Sequence, residues 1–179
     1  MPTYIALMRG LNVGGSNRLA MRDLRAVFER AGGLNVSTYI QSGNVLFQAT
    51  SADYAKNLAM SVSKTVEKEF RIQSPVIVRT AKQMKLVARI KPFGESESAN
   101  AATHVAFLEV KPSAQTVAAI DSRRAPGDSI AVLGREVYLH LPRGVARTRF
   151  SSAYLDKLFG IHTTRNWRTV GKLAAMSSA

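Results

Sequence analysis

The chain contains no cysteine, so disulfides and thiolate metal sites are excluded. Histidine is nearly absent as well: His104, His140 and His162 are dispersed and form no dense zinc-type cluster. No metal and no cofactor are expected. No apolar stretch approaches the roughly 20 residues that span a bilayer. The strand-like run Thr3–Met8 opens the chain without the basic start and cleavage site of a signal peptide. The expectation is a reduced, soluble, cytoplasmic protein with no membrane contact. Acidic residues are also few, 12 against 25 Lys and Arg, which leaves a net charge of +13. Such an excess favours anionic partners and also aids solubility. It is not gathered in a tail: residues 1–90 carry 13 basic and 5 acidic groups, residues 91–179 carry 12 and 7. The densest stretch is Arg135–Lys172, with eight basic residues against Glu136 and Asp156.

What is present is the pattern of a folded protein, 46% hydrophobic and 21% charged. Thr3–Met8 reads as a central strand. Met21, Leu24, Val27, Phe28 and Ala31 recur at helical spacing, and Gly32-Gly33 ends that helix. Val36–Ile40 and Val45–Ala49 read as strands around a Ser42-Gly43-Asn44 turn. Tyr54, Leu58, Val62, Val66 and Phe70 make one helical stripe, with Ser51 and Asp53 as capping candidates. A strand follows from Pro75 to Val78. The order β-α-β-β-α-β is the ferredoxin-like split βαβ pattern.

The order then partly repeats. Ala81–Ile90 is expected to be a helix, Lys91–Asn100 an exposed loop, Thr103–Val110 a strand and Ser113–Arg124 a helix. Ser129–Leu133 and Glu136–Leu141 predict a hairpin across Gly134-Arg135. Phe150–Phe159 and Asn166–Met176 read as the last helices. The fold class is therefore α+β, with two ferredoxin-like α/β-plait subdomains. Their expected ranges are 1–80 and 81–179, the second incomplete or elaborated with a C-terminal helix.

Three polar, Gly-punctuated runs carry the candidate site: Arg9–Asn17, Thr38–Phe47 and Thr163–Leu173. Gly14 and Gly15 permit consecutive N–H groups that cradle an anion, with Arg9 beside them. The competing reading is a turn that Asn12 ties through its side chain. Gln41, Ser42 and Asn44 make good hairpin chemistry, of which Gln41 is more than a turn needs. A hairpin between strands two and three is expected at a sheet edge, away from the loop after strand one. In the third run Trp167 reads as a core anchor, leaving Arg165, Asn166 and Thr169 for a ligand or for capping. The first half shares the topology of an RNA recognition motif. Asn44 and Leu46 stand where stacking rings belong, and alternation turns Phe47 toward the helices.

The runs MRGLNVGGSNRLAMRDLRAVFERAG, TYIQSGNVLF, EVYLHLP and TTRNWRTVGKLAAM resemble a bacterial family known only as domain of unknown function 1697. The resemblance extends from about Tyr4 to about Met176. It implies two ferredoxin-like subdomains and a candidate site, but no activity. Gly144–Phe150 departs from the family's Gly-x-Gly-Arg-Ser-Lys-Leu: Ala146 replaces a glycine. Arg168 stands where an asparagine is usual.

The expected function is binding of an anionic ligand, a nucleotide-like metabolite or nucleic-acid phosphate, at Arg9, Asn12, Gly14, Gly15, Gln41, Ser42, Asn44, Arg165, Asn166 and Thr169. One alternative is a metal-independent enzyme acting on a phosphorylated or carboxylated small molecule. Another gives Gln41, Asn44 and Asn166 a purely structural role between subdomains. No Ser-His-acid arrangement follows from spacing alone, and His162 reads as a loop residue. Spacing says nothing of oligomeric state.

Overall fold

A computed structural model describes residues 1–178. It falls into two compact units, Met1–Leu86 with the C-terminal residues from Leu173, and Val87–Lys172.

The first unit runs β1 (Thr3–Met8), α1 (Met21–Arg30), β2 (Leu34–Tyr39), β3 (Asn44–Gln48), α2 (Ala52–Phe70) and β4 (Val76–Thr80). The strands form one antiparallel sheet in the order β2-β3-β1-β4. Alternation sends Tyr4, Ala6, Met8, Val45 and Phe47 to the face covered by α1 and α2. There Phe47 meets the Phe28 ring at 5.4 Å between centroids, in agreement with the alternation argument. The other face is also buried, at Ile5, Leu7, Leu46, Ile77 and Arg79. The Ser51 hydroxyl caps α2 by accepting the Tyr54 N–H.

From β4 the chain turns directly into α3 (Ala81–Arg89). The second unit then repeats the plan: β5 (Thr103–Leu108), α5 (Ala114–Ala118), β6 (Ser129–Leu133), β7 (Glu136–His140), α6 (Ser152–Phe159) and β8 (His162–Asn166). A short helix, α4 (Glu97–Ala102), precedes β5, and α7 (Trp167–Met176) follows β8. The sheet order is β6-β7-β5-β8, again antiparallel. Both units are thus ferredoxin-like, and the second is complete and elaborated with a C-terminal helix.

The repetition reaches individual residues. Ile5 pairs with Arg79, and Val105 pairs with Arg165. Met8 pairs with Val76, and Leu108 with His162. The Ser151 hydroxyl caps α6 by accepting the Tyr154 N–H, as Ser51 does with Tyr54.

Three sequence expectations need correction. The expected loop Lys91–Asn100 contains the start of α4, because the Ser96 hydroxyl accepts the Ala99 N–H and caps an alanine-rich turn. The expected helix Ser113–Arg124 stops early. Asp121 starts a separate 3-10 turn at Ser122–Arg124 by accepting the Arg123 N–H. Strand β8 was not foreseen: its sequence HTTRN has no apolar residue to reveal it.

Candidate functional site

The Arg9–Asn17 loop is organised by asparagine 12. Its amide Nδ2 donates to the Leu19 carbonyl at 2.9 Å and to the Gln41 carbonyl at 2.6 Å. Its Oδ1 accepts the Leu19 N–H at 2.9 Å. Asn17 Nδ2 donates to the Gly10 carbonyl, and Arg18 Nε folds back to the Gly15 carbonyl. Asn12 adopts φ of 55°, a conformation asparagine tolerates better than most residues. Gly14 and Gly15 form the exposed tip. Arg9 is half-buried; its N–H donates to the Pro75 carbonyl, and its carbonyl accepts the Ser74 hydroxyl.

The hairpin does lie beside this loop. In the order β2-β3-β1-β4, β3 starts next to the end of β1, with Leu7 opposite Asn44. Met8 N–H donates to the Gly43 carbonyl, so the expected separation of the two loops is corrected. Asn44 is buried, and its amide donates to the Tyr39 carbonyl and the Ser42 hydroxyl. Gln41 is exposed, and its backbone carbonyl is what Asn12 holds.

The third run belongs to β8 and α7. Arg165 is buried, and its guanidinium donates to the Thr163 hydroxyl at 2.8 Å and the Thr164 carbonyl at 2.9 Å. Burial draws its pKa down to about 10, which still leaves it charged at neutral pH. Asn166 caps α7: its Oδ1 accepts the Thr169 N–H at 2.8 Å. Trp167 is half-buried.

Two concave sites lie within the second unit. One is a cleft of about 720 Å³ lined by Phe93, Ala99, His104, His140, Leu141 and Pro142, among others, with no charged side chain. Burial lowers the His104 pKa, against the raising effect of its contact with the Ala102 carbonyl. This cleft suits uncharged groups.

The other is a pocket of about 410 Å³ lined by Ala125, Pro126, Arg143, Arg147 and Arg149. Arg143 donates to the Pro126 carbonyl at 2.8 Å and lies 4.0 Å from the buried Asp128 carboxylate. Arg124 ties the loop to α6, stacking 3.9 Å over the Tyr154 ring and donating from Nε to the Arg149 carbonyl. Among the described residues, the side chains of Arg147 and Arg149 have no hydrogen bond or ion pair. The charge-dense stretch Arg135–Lys172 pointed at this region, but no sequence motif gathers its three arginines with Pro126.

The same loop feeds α6, where the His162 expectation also changes. His162 is a buried strand residue. Its Nδ1 is 3.2 Å from Asp156 Oδ1 and its Nε2 is 3.3 Å from Ser152 Oγ. The three side chains converge only because the chain reverses at Gly160, between α6 and β8.

Comparison with known proteins adds family and fold. A family model described as a protein of unknown function (DUF1697) matches residues 1–138. A conserved bacterial protein of solved structure, from Streptococcus pneumoniae, is 20% identical. That likeness covers 100% of this chain and 99% of the other, with a TM-score of 0.79, and speaks to fold alone. No curated protein matches the chain. Among the described residues, no helix is long and apolar enough to cross a membrane.

Proposed function

We propose that this chain, which belongs to the DUF1697 family of proteins of unknown function, binds a small multivalent anion. The observation that carries the reading is the pocket in which Arg143, Arg147 and Arg149 converge without an acidic residue in its lining. Guanidinium groups present planar, always-charged donor forks suited to phosphate and carboxylate oxygens. Two of the three arginines have no protein partner among the described residues, so their donors are open to a ligand. Asp128, 4.0 Å from Arg143, offsets one of the three positive charges, which favours a dianion or a larger polyanion over a monoanion. A concave site of this size suits a phosphorylated or carboxylated small molecule better than a duplex, whose phosphates are spread along a surface.

The polar runs singled out in the sequence support this reading less well. The Asn12 and Asn44 amides already serve the backbone around them. Asn166 serves as a helix cap.

Calorimetric titration with inorganic phosphate, citrate and a single-stranded oligonucleotide tests the proposal. Each lost charge-assisted contact should cost about 1.5–3 kcal/mol. The Arg147→Ala/Arg149→Ala double variant should therefore lose at least roughly tenfold in affinity for phosphate or citrate, with an unchanged melting temperature. No binding of either small anion to the wild type, or equal binding to the double variant, would overturn the reading. Binding of the oligonucleotide alone would replace it with nucleic-acid recognition.

A further inference from the structure

Ser152, His162 and Asp156 form a chain of contacts at the start of α6, immediately after the loop that carries Arg147 and Arg149. Ser152 Oγ lies 3.3 Å from His162 Nε2. His162 Nδ1 faces Asp156 Oδ1 at 3.2 Å and the Gly160 carbonyl at 3.3 Å. Both groups facing Nδ1 are acceptors. A neutral imidazole there carries its hydrogen on Nδ1 and leaves the Nε2 lone pair for the serine hydroxyl. Ser152 is exposed, whereas His162 is 1% exposed, so the nucleophile meets solvent and its base is shielded. The serine–histidine separation is at the long end of the hydrogen-bond range, as such pairs often are without substrate.

We infer that Ser152 is a nucleophile for acyl transfer, with His162 as its general base and Asp156 as a positioning residue, acting on an ester that carries an anionic group. The anionic part of this inference rests on the arginine pocket proposed above. In this inference the developing oxyanion falls to backbone N–H groups at the start of α6. Ser151 Oγ takes the Tyr154 N–H and the Ser151 carbonyl takes the Leu155 N–H. The N–H groups of Ser152 and Ala153 stand ahead of these bonds, in the first turn of the helix.

The first unit provides an internal control. Its matching helix starts after the matching cap, Ser51, with Ala52 in the place of Ser152 and Lys56 in the place of Asp156. By strand register, Val76 stands in the place of His162. A serine-capped helix start of this kind therefore forms with none of the three groups at those positions.

In the reaction, Ser152 Oγ bonds to the ester carbonyl carbon as its proton passes to His162 Nε2. The tetrahedral intermediate collapses, the carbon–alkoxide bond breaks, and the leaving alcohol takes that proton. Water then attacks the acyl-serine and gives a proton to His162. Release of the carboxylic acid returns that proton to Ser152.

Labelling with a fluorophosphonate probe, located by peptide mass spectrometry, is the primary test. Wild type should be labelled on Ser152, and Ser152→Ala, with the same melting temperature, should not. Asp156→Asn should slow labelling at least tenfold and shift the pH profile of the rate, a readout that a purely structural role would leave unmoved. In parallel, the p-nitrophenyl ester of succinate should be hydrolysed faster than that of acetate, and Arg147→Ala/Arg149→Ala should erase the difference. Absence of label on Ser152 overturns the inference even if phosphate or citrate binds. Label without a preference for the succinate ester overturns the anionic substrate class.

Discussion

Both amide hydrogens of Asn12 and its carbonyl oxygen are engaged in the loop that Asn12 occupies. One side chain thus joins the exit of β1, the approach to α1 and the β2–β3 hairpin. Replacing it with alanine leaves the Leu19 N–H and two carbonyls without that partner and places a less tolerant residue at φ of 55°. Asn12→Ala should destabilise the fold by about 1–3 kcal/mol, read as a lower melting temperature. Phosphate and citrate binding, proposed for arginines of the other unit, should be unchanged at temperatures where the variant is folded. An unaltered melt would mean that other contacts hold the loop.

The β2–β3 hairpin depends on Gly43 for two separate reasons. Its φ is 72°, which a side chain resists, and an added Cβ would lie 2.6 Å from Met8 Cβ and 3.1 Å from Leu11 Cδ1. Gly43→Ala should cost at least about 1–3 kcal/mol, the usual range for overpacking, as a fall in the urea midpoint. A midpoint equal to wild type would show that the hairpin yields without strain. Elements of this kind were legible in the sequence. The stripes of α1 and α2, the cap at Ser51 and the glycine turn between β6 and β7 each declare themselves within a few neighbouring residues. Strand β8 did not, because Thr163 and Arg165 are buried polar residues that local patterning assigns to the surface. The candidate site was hidden for a related reason. Its charge density could be read, but the meeting of Arg143 with Pro126, and of Ser152 with His162, depends on tertiary folding.

For the molecule as a whole, a net charge of +13 sets a positive field that draws anions before any specific contact is made. Phosphate affinity should fall as sodium chloride rises from 50 to about 300 mM, because exposed charges are increasingly screened. The double variant should show a shallower dependence. A salt-independent affinity would locate binding in a buried, uncharged site such as the histidine-lined cleft. The repeated architecture has a different consequence. The two halves agree in strand order, in register and in a Ser-to-Tyr helix cap, so one plan is built twice within the chain. In the first copy, residues 49–51 suffice to link the third strand to its helix; in the second, residues 141–151 span the same junction. The arginines lie in that excess, so the proposed anion site is built on residues that the plan shared by the two halves does without.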